Sequence, residues 1–241
     1  IIDNANNQDQ IKRDSVIIDA ICESFEKRVK LKMNSKDRLT IDVTDRKQAG
    51  GMVGQLADTL KFNLDGYRDK SNRLYFDSHR NQFKAGVKKL YDVAYDYELR
   101  NPKGGGADYV SYFSTTLKSK IQKPTLDDNY TNILIILTDG YLEATKPDGT
   151  VISYYNKNVS SINETINCKF RELDVFLLEV NRRRNANDFE EKALQNWWFT
   201  WLKSMSIKNT TDDNVEDETI VKRVDGFTDV KRKVEEIINR K

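Results

Sequence analysis

Residues 132–140 read NILIILTDG, an apolar run that stops on Asp139 and Gly140. A short continuous apolar run rich in β-branched residues is typical of a buried strand. Asp-Gly is a common turn pair after a strand, which is one explanation of the carboxylate. The other is that Asp139 stands at the carboxyl end of a central parallel strand, where open α/β sheets place their ligands. The second interpretation requires further ligand residues at the same edge of the sheet, whereas the first does not.

The composition is that of a globular chain with a substantial core. The 241 residues are 38% hydrophobic and 10% aromatic, which suits one large α/β domain or two small ones. Forty Lys and Arg residues against 38 Asp and Glu residues leave a net charge of +2, so nucleic acid is not expected as a partner. No apolar stretch reaches the roughly eighteen residues that a membrane span needs, so none is predicted in the part shown.

The start of the chain and its cysteines bear on the compartment. The sequence begins at Ile1 without a Met, so we expect that upstream residues are missing, and the localisation stays open. Cys22 and Cys168 lack metal-ligand spacing and are expected to be buried free thiols, which is compatible with the cytoplasm.

Hydrophobic spacing predicts helices and strands in alternation along the whole chain. Helices are predicted over 8–31, 78–100, 107–121, 185–207 and 229–241. Strands are predicted over 38–44, 132–138, 173–180 and 219–224, with excursions at about 48–77 and 141–160. The second is either an irregular excursion or a hairpin that turns at 147–149. We therefore expect a single α/β domain over 1–241, with a doubly wound, mostly parallel central sheet flanked by helices on both faces and a first strand truncated at its N-terminus.

Three predicted strand-to-helix junctions are rich in side-chain oxygen atoms. They are Asp3 to Asn7, Gly106 to Asp108, and Thr138 to Gly140. Right-handed crossovers put such junctions on one edge of a parallel sheet, so these residues are expected to meet there. Carboxylate, amide and water oxygens are the ligands that Mg²⁺ prefers.

This pattern resembles the von Willebrand factor A family, over essentially the whole chain in helix and strand order. In that family the first strand ends in Asp-x-Ser-x-Ser, a second loop supplies a Thr, often within Gly-Thr-Asp, and the fourth strand ends in a further Asp, commonly followed by Gly. The corresponding residues here are Asp3 to Asn7, Gly106 to Asp108, and Thr138 to Gly140. The resemblance implies a Rossmann-like three-layer fold with a metal-ion-dependent adhesion site.

The predicted metal site departs from the family pattern at two positions. Ala5 stands where the first Ser belongs and Ala107 where the Thr belongs, so two hydroxyl ligands are missing. The resemblance then implies Asp3, Asn7 and Asp139 as Mg²⁺ ligands, with Asp108 in the outer shell and water in the vacant positions. The alternative is that Asp3 and Asp139 only cap loops and accept backbone N–H bonds.

The aromatic run of residues 197–201 suggests a second surface. Trp197, Trp201 and Leu194 lie three or four residues apart and are expected to face the sheet. Trp198 falls on a different helix face and, if exposed, would be an anchor for a partner, because exposed Trp is enriched at binding hot spots. The candidate partner-binding residues are Asp108, Tyr141 and Trp198.

These features favour a non-enzymatic protein-binding domain that uses the carboxyl edge of the sheet, with a degenerate and possibly metal-free adhesion site. The partner would be another protein. One alternative is a Mg²⁺-dependent phosphoryl-handling enzyme in which Asp3 and Asp139 hold the metal. Another is a metal-independent assembly scaffold whose contacts come from the Trp-bearing helix and the excursion that starts at Tyr141. No GxGxxG or GxxxxGK[ST] motif appears, and the single His79 gives no support to a hydrolytic triad.

Overall fold

A computed structural model describes the chain over residues 8–31, 35–44, 55–56, 59–63, 73–100, 107–126, 130–141, 143–145, 151–153, 167–180, 188–210, 219–222 and 227–240. The chain divides into two compact units. We call Gly106–Asp225 the sheet unit, and Ile2–Gly105 together with Gly226–Lys241 the helical unit. In the described residues, no helix is long and apolar enough to cross a membrane.

The described elements alternate between helix and strand. The helices are α1 (Gln8–Lys30), α2 (Arg73–Arg100), α3 (109–119), α4 (Asp188–Ser204) and α5 (Thr228–Ile238). The helix α3 is irregular: it is α-helical over Tyr109–Ser111, π-helical over Tyr112–Thr116 and 3-10 helical over Leu117–Ser119. The strands are β1 (Arg38–Thr40), β2 (Lys61–Asn63), β3 (Asn132–Leu137), β4 (Glu143–Thr145), β5 (Val151–Ser153), β6 (Leu173–Val180) and β7 (Ile220–Lys222).

The sheet unit is built on a three-stranded parallel sheet in the order β3-β6-β7. All eight residues of β6, the central strand, are buried, including Asp174 and Glu179. The helix α4 connects β6 to β7, which is the crossover that parallel pairing needs. The strands β4 and β5 form a separate antiparallel hairpin.

Aromatic side chains from α3 and α4 fill the core of the sheet unit. Phe113 on α3 lies 5.2 Å from Trp201 on α4 and 6.0 Å from Phe170, which precedes β6, between ring centroids. Aromatic rings at these separations and tilts stabilise the fold by more than the burial of their apolar area alone. Three predicted core residues, Leu194, Trp197 and Trp201, are buried here, so that prediction is confirmed.

In the helical unit α1 packs against α5 and α2, and the short antiparallel pair β1-β2 lies against α1 and α2. Phe62 of β2 is fully buried between Phe25 of α1, at 5.6 Å, and Phe83 of α2, at 5.9 Å. The guanidinium of Arg28 donates to the main-chain oxygen of Ile238 at the end of α5, and it pairs with Asp37 at 3.2 Å. A cation is favoured there because the last carbonyls of a helix lack partners within the helix.

The prediction of an extended doubly wound parallel sheet is wrong. In the described residues the parallel sheet has three strands, and the other two sheets are antiparallel pairs. Residues 38–44 were expected to join a parallel sheet, but Arg38–Thr40 pairs antiparallel with Lys61–Asn63 in the helical unit. The physical reason is visible in the pattern: RLTIDVT alternates, as strands with one solvated face do, whereas β3 and β6 are continuous apolar runs.

Individual elements agree better with the sequence. The strand predicted over 173–180 has those bounds, and the strand predicted over 132–138 spans Asn132–Leu137. The predicted hairpin after Tyr141 is confirmed by the pairing of β4 with β5, while its turn at 147–149 lies outside the described residues. Helix α2 begins at Arg73, earlier than the predicted start at Ser78.

Candidate functional site

The carboxyl end of β3 is held by a compact turn. The backbone N–H of Thr138 donates to the carbonyl of Leu178 at 3.1 Å, which continues the pairing of β3 with β6 by one residue. The buried hydroxyl oxygen of Thr138 then accepts the N–H of Gly140 at 3.0 Å. Thr138 therefore ends the strand and starts the turn that carries Asp139.

Asp139 is half-buried and shapes its own loop. Its Oδ1 accepts the backbone N–H of Tyr141 at 2.9 Å, which is an Asx turn. This is the capping role that the sequence left as the alternative to metal binding. Tyr141 itself is 4% exposed, so its ring packs into the core of the sheet unit and does not form part of an open surface.

Gly140 is required by the geometry of this turn. Its φ is +96°, in the region that disfavours side chains, and a Cβ built there would lie 2.9 Å from Leu194 Cδ2 and 3.0 Å from Val180 Cγ1. The Asp-Gly pair is therefore both a turn signal and a close approach between the loop, β6 and α4.

Trp198 joins this loop to the core. It is fully buried, and its Nε1 donates to the carbonyl of Gly140 at 2.7 Å. The exposure that its role as a surface anchor needed is not found. The helix α4 is buried on a second face as well as on the face toward the sheet. On that second face the ring of Trp198 packs against the ring of Tyr109 on α3, with 5.2 Å between the ring centroids.

Asp108 caps the helix that carries Tyr109. Its Oδ1 accepts the N–H of Ser111 at 2.9 Å, the usual N-cap contact, and its side chain is half-buried. Because Tyr109 and Gly140 both contact the indole of Trp198, the residues next to Asp108 and Asp139 meet on one side chain. Two of the three predicted junctions thus come together.

The third junction, with Asp3 and Asn7, lies outside the described residues. Within the part of the chain that is described, no group of three or more His, Cys, Asp or Glu side chains could hold a metal ion. Asp108 and Asp139 each commit one carboxylate oxygen to a backbone N–H, and Ala107 contributes no ligand oxygen. The described residues therefore do not by themselves fit a Mg²⁺ site.

Glu179 is a feature of this edge that sequence reasoning missed. It is fully buried in β6, its φ is +72°, and the pairing with β7 shifts register between Leu178 and Val180, so it occupies a β-bulge. A non-glycine residue in this conformation stores on the order of 1–3 kcal/mol of strain, and such strain clusters at functional sites. The sequence does contain a signal for this residue: in LDVFLLEV, the carboxylate of Glu179 interrupts the apolar residues that follow Asp174.

The carboxyl edge of the sheet unit thus carries the half-buried carboxylates of Asp108 and Asp139, held by the Tyr109–Trp198–Gly140 contacts, with the buried Glu179 in the neighbouring strand. None of the protein-family models, curated proteins or solved structures compared with this chain matches it.

Proposed function

We propose that this chain is a non-enzymatic protein-binding domain of the von Willebrand factor A type, and that it engages another protein through the carboxyl edge of the sheet unit. The observation that supports the proposal is the shared contact of Tyr109 and Gly140 with Trp198. It brings the start of α3 and the end of β3 to one side chain, and each brings a carboxylate with it.

The way the two carboxylates are held also favours recognition. Each is half-buried and each accepts a backbone N–H from its own loop, so its position is set before a partner arrives. Binding residues are commonly carried on loops that a rigid scaffold positions, and a preordered site loses less entropy on binding.

Whether Mg²⁺ is bound determines the sign of the charge that the partner must carry. With an ion held by Asp3, Asn7 and Asp139, a partner carboxylate would complete the coordination, as the family resemblance implies. Without an ion, Asp108 and Asp139 present negative charge and fit a basic side chain, preferably the planar guanidinium of an Arg. Because Ala5 and Ala107 remove two of the hydroxyl ligands of the family pattern, we favour recognition without a resident metal.

Calorimetry tests the metal question first. Titration of Mg²⁺ and then Mn²⁺ into the wild type and into Asp139→Asn is expected to give no binding heat in either protein. The Asn side chain keeps the oxygen that accepts the N–H of Tyr141, so the loop is preserved while the charge is removed. Saturable heat in the wild type that disappears in Asp139→Asn would replace the metal-free form of the proposal with the metal-dependent form.

Site-specific cross-linking tests the binding edge itself. A photoreactive amino acid at position 139, in an extract of the source cells, is expected to give a discrete cross-linked protein, and the same group at the exposed Thr200 of α4 is not. Asp108→Asn should reduce the yield from position 139, whereas Glu172→Gln, an exposed acidic position near the other end of β6, should not. Equal products from positions 139 and 200 would reject the carboxyl edge as the binding surface.

A further inference from the structure

The register shift at Glu179 decides which residue of β6 enters the core of the sheet unit. Successive side chains of a strand point to opposite faces, so Leu173, Val175 and Leu177 share one face of the sheet. All three belong to the apolar core cluster that contains the tryptophans of α4. In an unbroken strand Glu179 would be next on that face and Val180 would point away from it. Val180 nevertheless belongs to the same core cluster.

The pairing of β6 with β7 shows the same exchange. Leu177 pairs with Ile220 and Val180 pairs with Lys222, so three steps along β6 match two steps along β7. The additional residue is Glu179, which takes it up with a φ of +72°. The bulge therefore gives Val180 the place that a regular strand would give to a carboxylate, and a charge in that apolar core would be costly.

Val180 in turn supports the loop that carries Asp139. A Cβ built on Gly140 would lie 3.0 Å from Val180 Cγ1 and 2.9 Å from Leu194 Cδ2, so both side chains reach the main chain of the loop. The indole of Trp198 holds the same residue through its hydrogen bond to the carbonyl of Gly140. Side chains of β6 and α4 thus hold the loop together, and the contact from β6 exists because of the register shift.

The bulge lies beside the end of β3. The N–H of Thr138 donates at 3.1 Å to the carbonyl of Leu178, the residue that precedes Glu179. Bulges next to binding and active sites commonly re-aim a side chain, and a strained backbone persists only where the surrounding structure fixes it. The strained residue of β6 is therefore placed where the loop of Asp139 leaves the sheet.

We propose that Glu179 is a positioning residue of the carboxyl edge: its bulge turns Val180 against Gly140 and thereby sets the place of the Asp139 carboxylate for a partner. This inference rests on the function proposed above and adds the residue that fixes the geometry of the binding loop. Glu179 acts through Val180 and Gly140, so it needs no contact with the partner.

Two substitutions of Glu179 separate the bulge from the carboxylate. Glu179→Gly removes the carboxylate but accepts a positive φ, so the bulge should remain. Glu179→Leu disfavours that φ, and its side chain suits the apolar face, so the strand should become regular and Val180 should turn away from Gly140. We therefore expect the second variant to release the loop and the first to keep it in place.

Hydrogen exchange of the Trp198 indole N–H, followed by NMR, measures how firmly the loop is held, because this group bonds to Gly140. The backbone N–H of Val175, which bonds to Asn209 in the same unit, is the reference for general opening. The ratio of the Trp198 rate to the Val175 rate should rise about tenfold in Glu179→Leu, as the lost packing of one valine side chain implies. It should keep the wild-type value in Glu179→Gly. An unchanged ratio in folded Glu179→Leu would overturn the proposal.

Val180→Ala tests the same contact if Glu179→Leu does not fold. It keeps the bulge and shortens the side chain that reaches Gly140, so the exchange ratio should again rise. Leu117→Ala is the matched control, because it truncates a buried side chain of the same core at the other end of α3 from Tyr109. Equal ratios in Val180→Ala and Leu117→Ala would overturn the positioning role.

Cross-linking connects the position of the loop to the partner. A photoreactive amino acid at the exposed position of Ser111, in the first turn of α3, leaves Asp139 intact. Its yield of cross-linked partner should fall in Glu179→Leu and stay near the wild-type yield in Glu179→Gly. No product in the wild type would reject the proposed function, whereas equal yields in all three proteins would reject the positioning role alone.

Discussion

The indole N–H of Trp198 donates to the carbonyl of Gly140 across 2.7 Å, inside the core of the sheet unit. This one bond ties the helix α4 to the loop that follows β3. Trp197 and Trp201, its neighbours on the same helix, are also buried, yet their Nε1 atoms have no acceptor. The three tryptophans of this cluster therefore differ in whether the indole N–H makes a hydrogen bond.

We expect Trp198→Phe to destabilise the chain more than Trp197→Phe. Both changes remove similar area, but only the first leaves a buried carbonyl without its donor, which costs about 1–3 kcal/mol. Urea unfolding followed by circular dichroism measures the difference in the free energy of unfolding. Equal losses would mean that the bond to Gly140 contributes no net stability.

Asn209 is expected to be a second polar stabiliser of the same unit. Its Oδ1 accepts the N–H of Val175 at 2.9 Å and its Nδ2 donates to the carbonyl of Val175 at 2.8 Å, so the side chain substitutes for a neighbouring strand. Asn209→Ala leaves both buried groups of Val175 unpaired and should cost on the order of 2–4 kcal/mol.

Asn209→Leu is the matched control for this effect. Leu has nearly the same shape as Asn and restores most of the packing volume, but it offers no hydrogen bond. If the backbone bonds dominate, the Leu variant should unfold as easily as the Ala variant in urea. Recovery of most of the stability by Leu would attribute the effect to packing.

Glu26 is expected to make the stability of the helical unit depend on acid pH. Burial alone would raise the pKa of Glu26, but hydrogen bonds from Lys30 and Arg80 outweigh it and lower the pKa below 4.5. A carboxyl group with a lowered pKa stabilises the fold above its unfolded pKa and loses that contribution as the pH falls through its folded pKa. The difference in unfolding free energy between the wild type and Glu26→Gln should therefore be largest near neutral pH.

The measurement is urea unfolding of both proteins at a series of pH values from neutral to acid. The difference should shrink as the pH drops below about 4.5. Asp229→Asn, which removes an exposed carboxylate that pairs with Arg232, is the control and should change the free energy of unfolding only slightly, because an exposed ion pair contributes little stability. A difference between wild type and Glu26→Gln that stays constant with pH would contradict the assignment.

The two free cysteines are expected to react at different rates. Cys22 is fully buried, and burial raises the pKa of its thiol to about 12, so almost no thiolate is present at neutral pH. Cys168 is half-buried before β6. Alkylation by iodoacetamide followed by mass spectrometry should modify Cys168 first, and Cys22 should react only after denaturation. Equal rates in the folded protein would show that α1 opens readily.

Much of the local structure could be read from the sequence. The apolar runs over 132–138 and 173–180 identified β3 and β6, because such runs are typical of parallel strands in the interior of a domain. Helical spacing located the buried positions of α2 at Phe83, Val87 and Leu90. The Asp-Gly pair marked the turn at Gly140, since a positive φ favours glycine.

What only the tertiary structure decided is which surfaces pack together. Periodicity says that a helix face is apolar but not what lies against it, so the sequence could not show that Tyr109 covers Trp198. Nor could it place Glu179 in a bulge with a left-handed backbone, because register shifts depend on the neighbouring strand. The alternating strand at Arg38–Thr40 found its partner in β2 for the same reason: hydrogen-bond partners are chosen by long-range contacts that local patterns do not encode.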